Sequence, residues 1–271
     1  MRIALCVEYD GSPFCGWQTQ PSGCGVQDVL EGALGQIADQ RIETHCAGRT
    51  DAGVHALGQV VHFDTVARRP LTAWVRGVNA LLPRTIAVTW AREVEDGFHA
   101  RYQARGRVYV YLLLNRAERP GLHHSHLGWH HHPLALEPMR AAAVHLLGVH
   151  DFSSFRAAEC QARSPVKELS RLEILRKGDL LVLQFAADAF LHHMVRNIVG
   201  CLVKVGNGSR APDWVRLVLE ARDRDQAAPT FPANGLYFMG VEYDASWGLP
   251  RAGTESASFA GVCALLMNSQ D

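Results

Sequence analysis

The chain has 271 residues, 48% hydrophobic and 20% charged, with 27 basic and 27 acidic side chains. This composition fits a globular protein with a sizeable core and excludes disorder, collagen-like repeats and low complexity. The balanced net charge argues against a protein coated in nucleic acid, and no apolar run approaches the ~20 residues of a membrane-spanning helix.

The first element expected is a strand, Ile3–Tyr9, with no signal-peptide pattern at the N-terminus. A glycine- and proline-rich stretch, Asp10–Gly25, follows; it is long for a plain connection and reads as functional or mobile. Val26, Leu30, Leu34 and Ile37 recur at helical spacing and predict a helix over Val26–Ala38. Gly48–Gly53 reads as a turn, Gln59–Phe63 as a strand and Leu71–Leu82 as a helix stopped by Pro83. Strands follow at Ile86–Val94 and Arg107–Asn115. The second round has a helix over Pro138–Leu147 and two strands, Glu168–Arg176 and Asp179–Ala187. It continues with helices over His192–Val205 and Pro212–Ala221, then a strand over Leu236–Tyr243. Strands and helices thus interleave twice about a seam near Ala100–Gly106, which implies two α+β halves that can share one sheet. We expect an N-terminal half over residues 1–104, a C-terminal half over 105–248 and an extension over 249–271.

Charge is distributed unevenly. Residues 1–64 carry three basic and eight acidic groups, 65–211 carry twenty and eleven, and 212–271 carry four and eight. The middle segment, net +9, is the surface suited to a polyanion. The seven cysteines, at 6, 15, 24, 46, 160, 201 and 263, are odd in number and contain no C-x-x-C spacing. No disulfide framework or zinc ribbon is expected, and a reducing cytoplasm is the natural compartment.

Four groups of residues carry candidate chemistry. In Gly48-Arg49-Thr50-Asp51-Ala52-Gly53-Val54-His55, two glycines bracket a polar turn that presents a carboxylate beside a guanidinium. An ionised Asp51 there can serve as nucleophile or base, although the same residues also make an ordinary surface turn. Arg196 is a cation in the apolar helix run Phe190–Gly200. Buried, it needs a carboxylate such as Asp51 or Asp188; otherwise it snorkels to the surface. On a strand, Arg107, Tyr109 and Tyr111 share one face, a platform for a nucleobase or simply the edge of a core. Fourteen histidines, six of them between His123 and His132, invite a metal reading, but no H-E-x-x-H or interleaved carboxylate supports it.

The stretch Tyr9–Gln18, then Gly48–Ala56, Arg107–Tyr111 and His192–Gly200 resemble, in that order, the tRNA pseudouridine synthase A family. Asn79–Pro83, Asp151–Arg156 and Gly235-Leu236-Tyr237 fit as well, and the resemblance runs from about residue 2 to about residue 245. It implies an isomerase that converts uridine to pseudouridine at positions 38, 39 and 40, in the anticodon arm of tRNA. It also implies a homodimer that needs no cofactor or metal. The family's shared aspartate falls on Asp51, its stacking tyrosine on Tyr109, the basic partner of the aspartate on Arg196, and an arginine linked to base flipping on Arg49. The implied fold has two α/β halves of RNA-recognition-like topology around a shared antiparallel sheet, with a positive cleft between them. Two other readings compete: a non-catalytic RNA-binding protein, which leaves the Asp51 turn unexplained, and a histidine-dependent metal hydrolase.

Overall fold

A computed structural model describes residues 1–250. In chain order it contains β1 (Arg2–Tyr9), α1 (Val26–Ala38), β2 (His45–Cys46) and β3 (His55–Asp64). A π-helical turn (Ala73–Gly77) runs into α2 (Val78–Leu81), followed by β4 (Ile86–Val94), β5 (Gly106–Asn115) and β6 (Gly128–His130). Then come α3 (Leu136–Val144), β7 (Gly148–Asp151), β8 (Val166–Lys177), β9 (Leu180–Ala187), α4 (Met194–Gly206), α5 (Trp214–Ala221) and β10 (Leu236–Glu242). The fold is mixed α/β, as the interleaved pattern implies. Among the described residues no helix is long and apolar enough to cross a membrane. Of the expected extension over 249–271, residues 251–271 lie outside the described residues.

The chain divides into two compact units. The first holds Met1–Arg105 together with the described chain from Tyr237 on, which includes all of β10 but its first residue. Its strand order is β4-β1-β3-β10, with β2 added to β3. β1 runs antiparallel to β3, with Leu5 opposite Val61, and antiparallel to β4. β10 runs parallel to β3, with Tyr237 opposite His55. β1 is buried on both faces, Ala4 and Cys6 as fully as Ile3, Leu5 and Val7. Its alternation of large and small residues therefore marks two differently filled core layers rather than a wet face and a dry one. α1 buries Val26, Leu30, Ala33, Leu34 and Ala38, the helical stripe read from the sequence.

The second unit runs from Gly106 to Leu236. Its strand order is β5-β9-β8-β7, with β6 parallel to β5. β5 and β9 are antiparallel and place Tyr109 opposite Phe185 and Tyr111 opposite Leu183. α4 is apolar almost throughout: only Arg196 and Lys204 escape full burial, and Asn197 is the one polar side chain within its buried set.

Several boundaries differ from the sequence expectation. The expected helix over Leu71–Leu82 is present over residues 71–81, but its centre, Ala73–Gly77, is a wider π-helical turn; it buries Trp74 and Val78. α3 starts at Leu136, so Pro138 sits in the first turn, where its missing N–H would have had no helical partner. α4 starts at Met194 rather than His192, because His193 has a left-handed backbone (φ 63°) that cannot continue a helix. The strands β2, β6 and β7, of two to four residues, are too short to show a period.

The cysteine reading also requires correction. Cys15 and Cys24 form a disulfide within the glycine-rich stretch. That loop folds back so that the Cys15 N–H donates to the Cys24 carbonyl (2.9 Å), which sets the two Cα atoms 5.4 Å apart, within disulfide reach. Spacing along the chain gave no sign of it, because the proximity comes from the loop's path.

Candidate active site

In the first unit the Asp51 turn is held from three sides. Gln59, fully buried on β3, receives the Gly48 N–H at its Oε1 (3.4 Å) and donates from Nε2 to the Gly48 carbonyl (2.5 Å). The Thr50 hydroxyl shares a buried hydrogen bond with the Tyr9 hydroxyl at 2.8 Å, and the Trp17 N–H donates to the Thr50 carbonyl at 2.9 Å. Within the turn, the Val54 N–H donates to the Asp51 carbonyl (3.1 Å), and Gly53 takes a positive φ of 77°. Arg49 is exposed and Asp51 half-buried, so both face outward from a backbone with buried anchors.

The glycine-rich stretch is the third side. Gly16 has φ +95°, and a Cβ there would stand 2.8 Å from the Thr50 carbonyl oxygen and 3.1 Å from the Ala52 nitrogen. A Cβ on Gly11 would overlap the Val54 carbonyl oxygen. The long stretch is therefore part of the packing of the turn: its glycines let backbone pack on backbone around Asp51. At the end of the turn, buried His55 stacks on Tyr237 (4.7 Å between ring centroids). Its Nδ1 accepts the Gly11 N–H at 3.1 Å, with Asp10 Oδ1 also 3.1 Å away.

The second unit carries the other two predicted residues. Tyr109 is 8% exposed and packs edge-on against Phe190 at 5.0 Å. The neighbouring Arg107 donates from Nη1 to the Asp188 carbonyl at 2.6 Å. Arg196, half-buried, donates from Nε to the Phe231 carbonyl (2.8 Å), and the Phe231 N–H donates back to the Arg196 carbonyl (3.3 Å). Tyr111 joins the same segment: its hydroxyl donates to the Pro232 carbonyl at 2.7 Å and its ring meets Phe231 edge-on at 5.7 Å. Burial pushes the Tyr111 hydroxyl well above the usual tyrosine range, with Arg196 opposing the shift weakly.

Sequence reasoning missed the groups that set these positions. Asn197 is fully buried; it donates to the Phe155 carbonyl (2.8 Å) and accepts from Arg224 (3.2 Å) and from the Thr230 hydroxyl (2.7 Å). This network ties the segment that receives Arg196 to the helix that carries it. An asparagine in an otherwise apolar helix was the available signal. The histidines of the basic segment crowd by ring contact, with His131 and His132 at 4.0 Å and His130 and His131 at 5.5 Å.

One unit carries an aspartate turn clamped by buried polar side chains, and the other carries the arginine- and tyrosine-bearing elements; each is an enzyme-like feature of an α/β scaffold. Comparison with known proteins gives the class. The family model described as tRNA pseudouridine synthase matches residues 5–103 and 142–244, and the chain belongs to that family. It is 58% identical over 250 residues to tRNA pseudouridine synthase A of Dechloromonas aromatica, covering 92% of this chain and 95% of the relative. It is 60% identical to the protein of the same name from Chromobacterium violaceum, with 92% and 96% covered. The Thiobacillus denitrificans protein of that name is 59% identical, with 93% and 97% covered. Among solved structures, a Cbf5-Nop10-Gar1 complex aligns at 11% identity and a TM-score of 0.38; the alignment covers 87% of this chain, which spans about half of that chain's length (48%).

Proposed function

We propose that this enzyme isomerises uridine to pseudouridine at positions 38, 39 and 40 in the anticodon arm of tRNA, with Asp51 as its essential group. The isomerisation as such follows from membership of the family. The observation that carries the role of Asp51 is its turn: a half-buried carboxylate on a backbone clamped by Gln59, Tyr9 and Trp17. A nucleophile or base gains from such fixed placement, since misplacement by about 1 Å can cost about 10²-fold in rate.

The reaction breaks the C1′–N1 bond, turns the uracil, joins C5 to C1′ and removes the C5 proton, while N1 takes up a proton, so the product is an isomer of the substrate. Asp51 acts at the sugar or at the ring, and Arg196 pairs with it and keeps it ionised. The target base must leave its stack, which costs a few kcal/mol. Stacking on Tyr109, about 1–3 kcal/mol, offsets that cost, and Arg49 takes part in flipping the target base. Phe190 supports Tyr109 from the side, which suits a ring that must hold a base in one orientation. The Tyr109 hydroxyl is the proposed acceptor of the C5 proton. The basic residues between 65 and 211 supply phosphate contacts along a positive cleft between two RNA-recognition-like halves. The enzyme works as a cytoplasmic homodimer.

The test is pseudouridine mapping of tRNA from cells carrying the wild-type chain, Asp51→Asn or no chain. The reading requires pseudouridine at positions 38–40 with the wild-type chain alone. Modification at other uridines only, or residual activity of Asp51→Asn within about tenfold of wild type, would overturn it.

A further inference from the structure

A second aromatic cluster lies in the first unit, away from the groups assigned above. His45 on β2 and His62 on β3 stand opposite each other in the sheet, with ring centroids 5.0 Å apart. His99 closes a triangle with them, 4.6 Å from His62 and 5.5 Å from His45. Tyr102 stacks on His99 at 4.2 Å with 32° between the planes, and the Arg101 guanidinium stands 6.0 Å from the Tyr102 ring. The cluster therefore rises from the core to solvent: His62 is 1% exposed, whereas Tyr102 is 76% exposed.

The turn that carries it is rigid. Phe98, fully buried, lies between Tyr243 and Trp247, at 5.3 Å from each. Arg2 donates to the Phe98 carbonyl and the Tyr243 hydroxyl to the Ala100 carbonyl. The His99 Nδ1 accepts the N–H groups of Arg101 and Tyr102 (3.1 and 3.4 Å), and the His62 Nδ1 accepts that of Ala100 (3.2 Å). Both imidazoles are thereby fixed as neutral Nε2–H tautomers. Burial is the main force holding them neutral: it lowers His99 and pushes His62 down to about 4, and the neighbouring imidazoles lower both further.

The aromatic cluster ends in an exposed tyrosine ring beside an arginine. It matches what an unpaired base needs: a flat π-face and a nearby cation for its phosphate. The cluster also adjoins the Asp51 turn along the chain, since β2 leads from His45 through Cys46 to Gly48-Arg49. Burial pushes the Cys46 thiol up to about 12, and both Arg49 and Arg101 oppose that shift, so both guanidiniums act on one thiol.

We propose that Tyr102, backed by His99 and flanked by Arg101, is a stacking site for an unpaired nucleobase of the RNA substrate, distinct from the uridine that is isomerised. The proposal rests on the function given above for its RNA ligand. In single-stranded loops, splayed bases are read in this way, and each stacked base contributes enough to be seen on removal.

The experiment uses the full-length protein and an unmodified anticodon-arm RNA hairpin. Tyr102→Ala should weaken hairpin binding about tenfold, and Tyr102→Phe should bind within about twofold of wild type, because stacking needs the ring and not the hydroxyl. Thermal melts show whether Tyr102→Ala is folded. As an independent readout, the Tyr102→Trp protein should show tryptophan quenching on hairpin addition beyond that of wild type. If Tyr102→Ala binds as tightly as wild type, and Tyr102→Trp shows no added quenching, the stacking site is overturned; a ring that serves a protein partner would give that result. If wild type makes no pseudouridine in tRNA, the function falls instead, and the quenching arm still decides the stacking site.

Discussion

The two units position their chemistry by different means. Asp51 sits on an irregular turn with one internal hydrogen bond, and the side chains and backbone that clamp it come from elsewhere in the chain: Tyr9 from β1, Trp17 from the glycine-rich stretch, Gln59 from β3. Tyr109 and Arg196 sit on a strand and a helix, whose backbone ladders fix them before any side chain contributes. The difference teaches where each half is fragile. A turn has no repeating hydrogen bonds of its own, so its geometry depends on a few non-local contacts. A residue on α4 or β5 keeps its place when one neighbour is lost.

The strongest way to separate chemistry from scaffolding is Asp51→Asn. The amide is isosteric and the clamp uses the backbone, so folding and RNA binding should stay at wild type while single-turnover rates fall by about 10³ or more. A thermal melt and a binding isotherm alongside the rate check all three. Arg196→Met should come next. It keeps most of the aliphatic volume and removes the cation, with an expected rate loss of about 10² and a smaller effect on melting temperature. A loss of stability without loss of rate would make Arg196 a helix anchor only. Tyr109 divides two roles: Leu should lose about 1–3 kcal/mol of stacking. Phe should lose about 10²–10⁴ in turnover if the hydroxyl moves the proton, and remain near wild type if it does not.

The clamp itself is tested by Gly16→Ala. A left-handed backbone and a carbonyl within 3 Å of the new Cβ predict about 1–3 kcal/mol of strain, felt as lost activity in the turn-bearing unit. Tyr9→Phe, which removes one buried hydrogen bond to Thr50, should cost about 1 kcal/mol and leave the backbone contacts. The smallest effect concerns His62. Its folded-state value near 4 lies below the ordinary 6.5, so the unfolded chain binds the proton first. Stability is then complete above about pH 6.5 and falls as the pH drops toward about 4. His62→Gln should flatten the melting-temperature profile in that window, whereas a profile unchanged by the substitution would rule the imidazole out as its source.

Much of this was readable in the residues. The apolar stripe of α1, the β-branched runs of β1 and β5 and the glycine-bracketed Asp51 turn are local patterns. Local sterics and periodicity make them visible without neighbours. Position along the chain also located Tyr109 and Arg196. Tyr109's burial against Phe190 was not readable, because alternation tells which residues share a face and not what covers that face. Gln59 looked like one more residue of a strand, since nothing local shows that its amide spans to Gly48. Cys15 and Cys24 gave no spacing signal, and their pairing follows from how the loop returns on itself.

What the sequence determined by itself was therefore the inventory: the elements with a clear period, the Asp51 turn with its flanking glycines, and the family pattern that orders them. These depend on short-range sterics and on residue identity, which a chain carries unfolded or folded. Only the tertiary structure decided that β10 pairs with β3 in the first unit, that the glycine-rich stretch closes on the Asp51 turn, and that His99 and Tyr102 stack outward from a buried histidine. Each of these joins residues far apart in sequence or sets one ring against another. The energy that selects them comes from burial and from satisfying buried polar groups, terms that exist only once the chain has closed on itself.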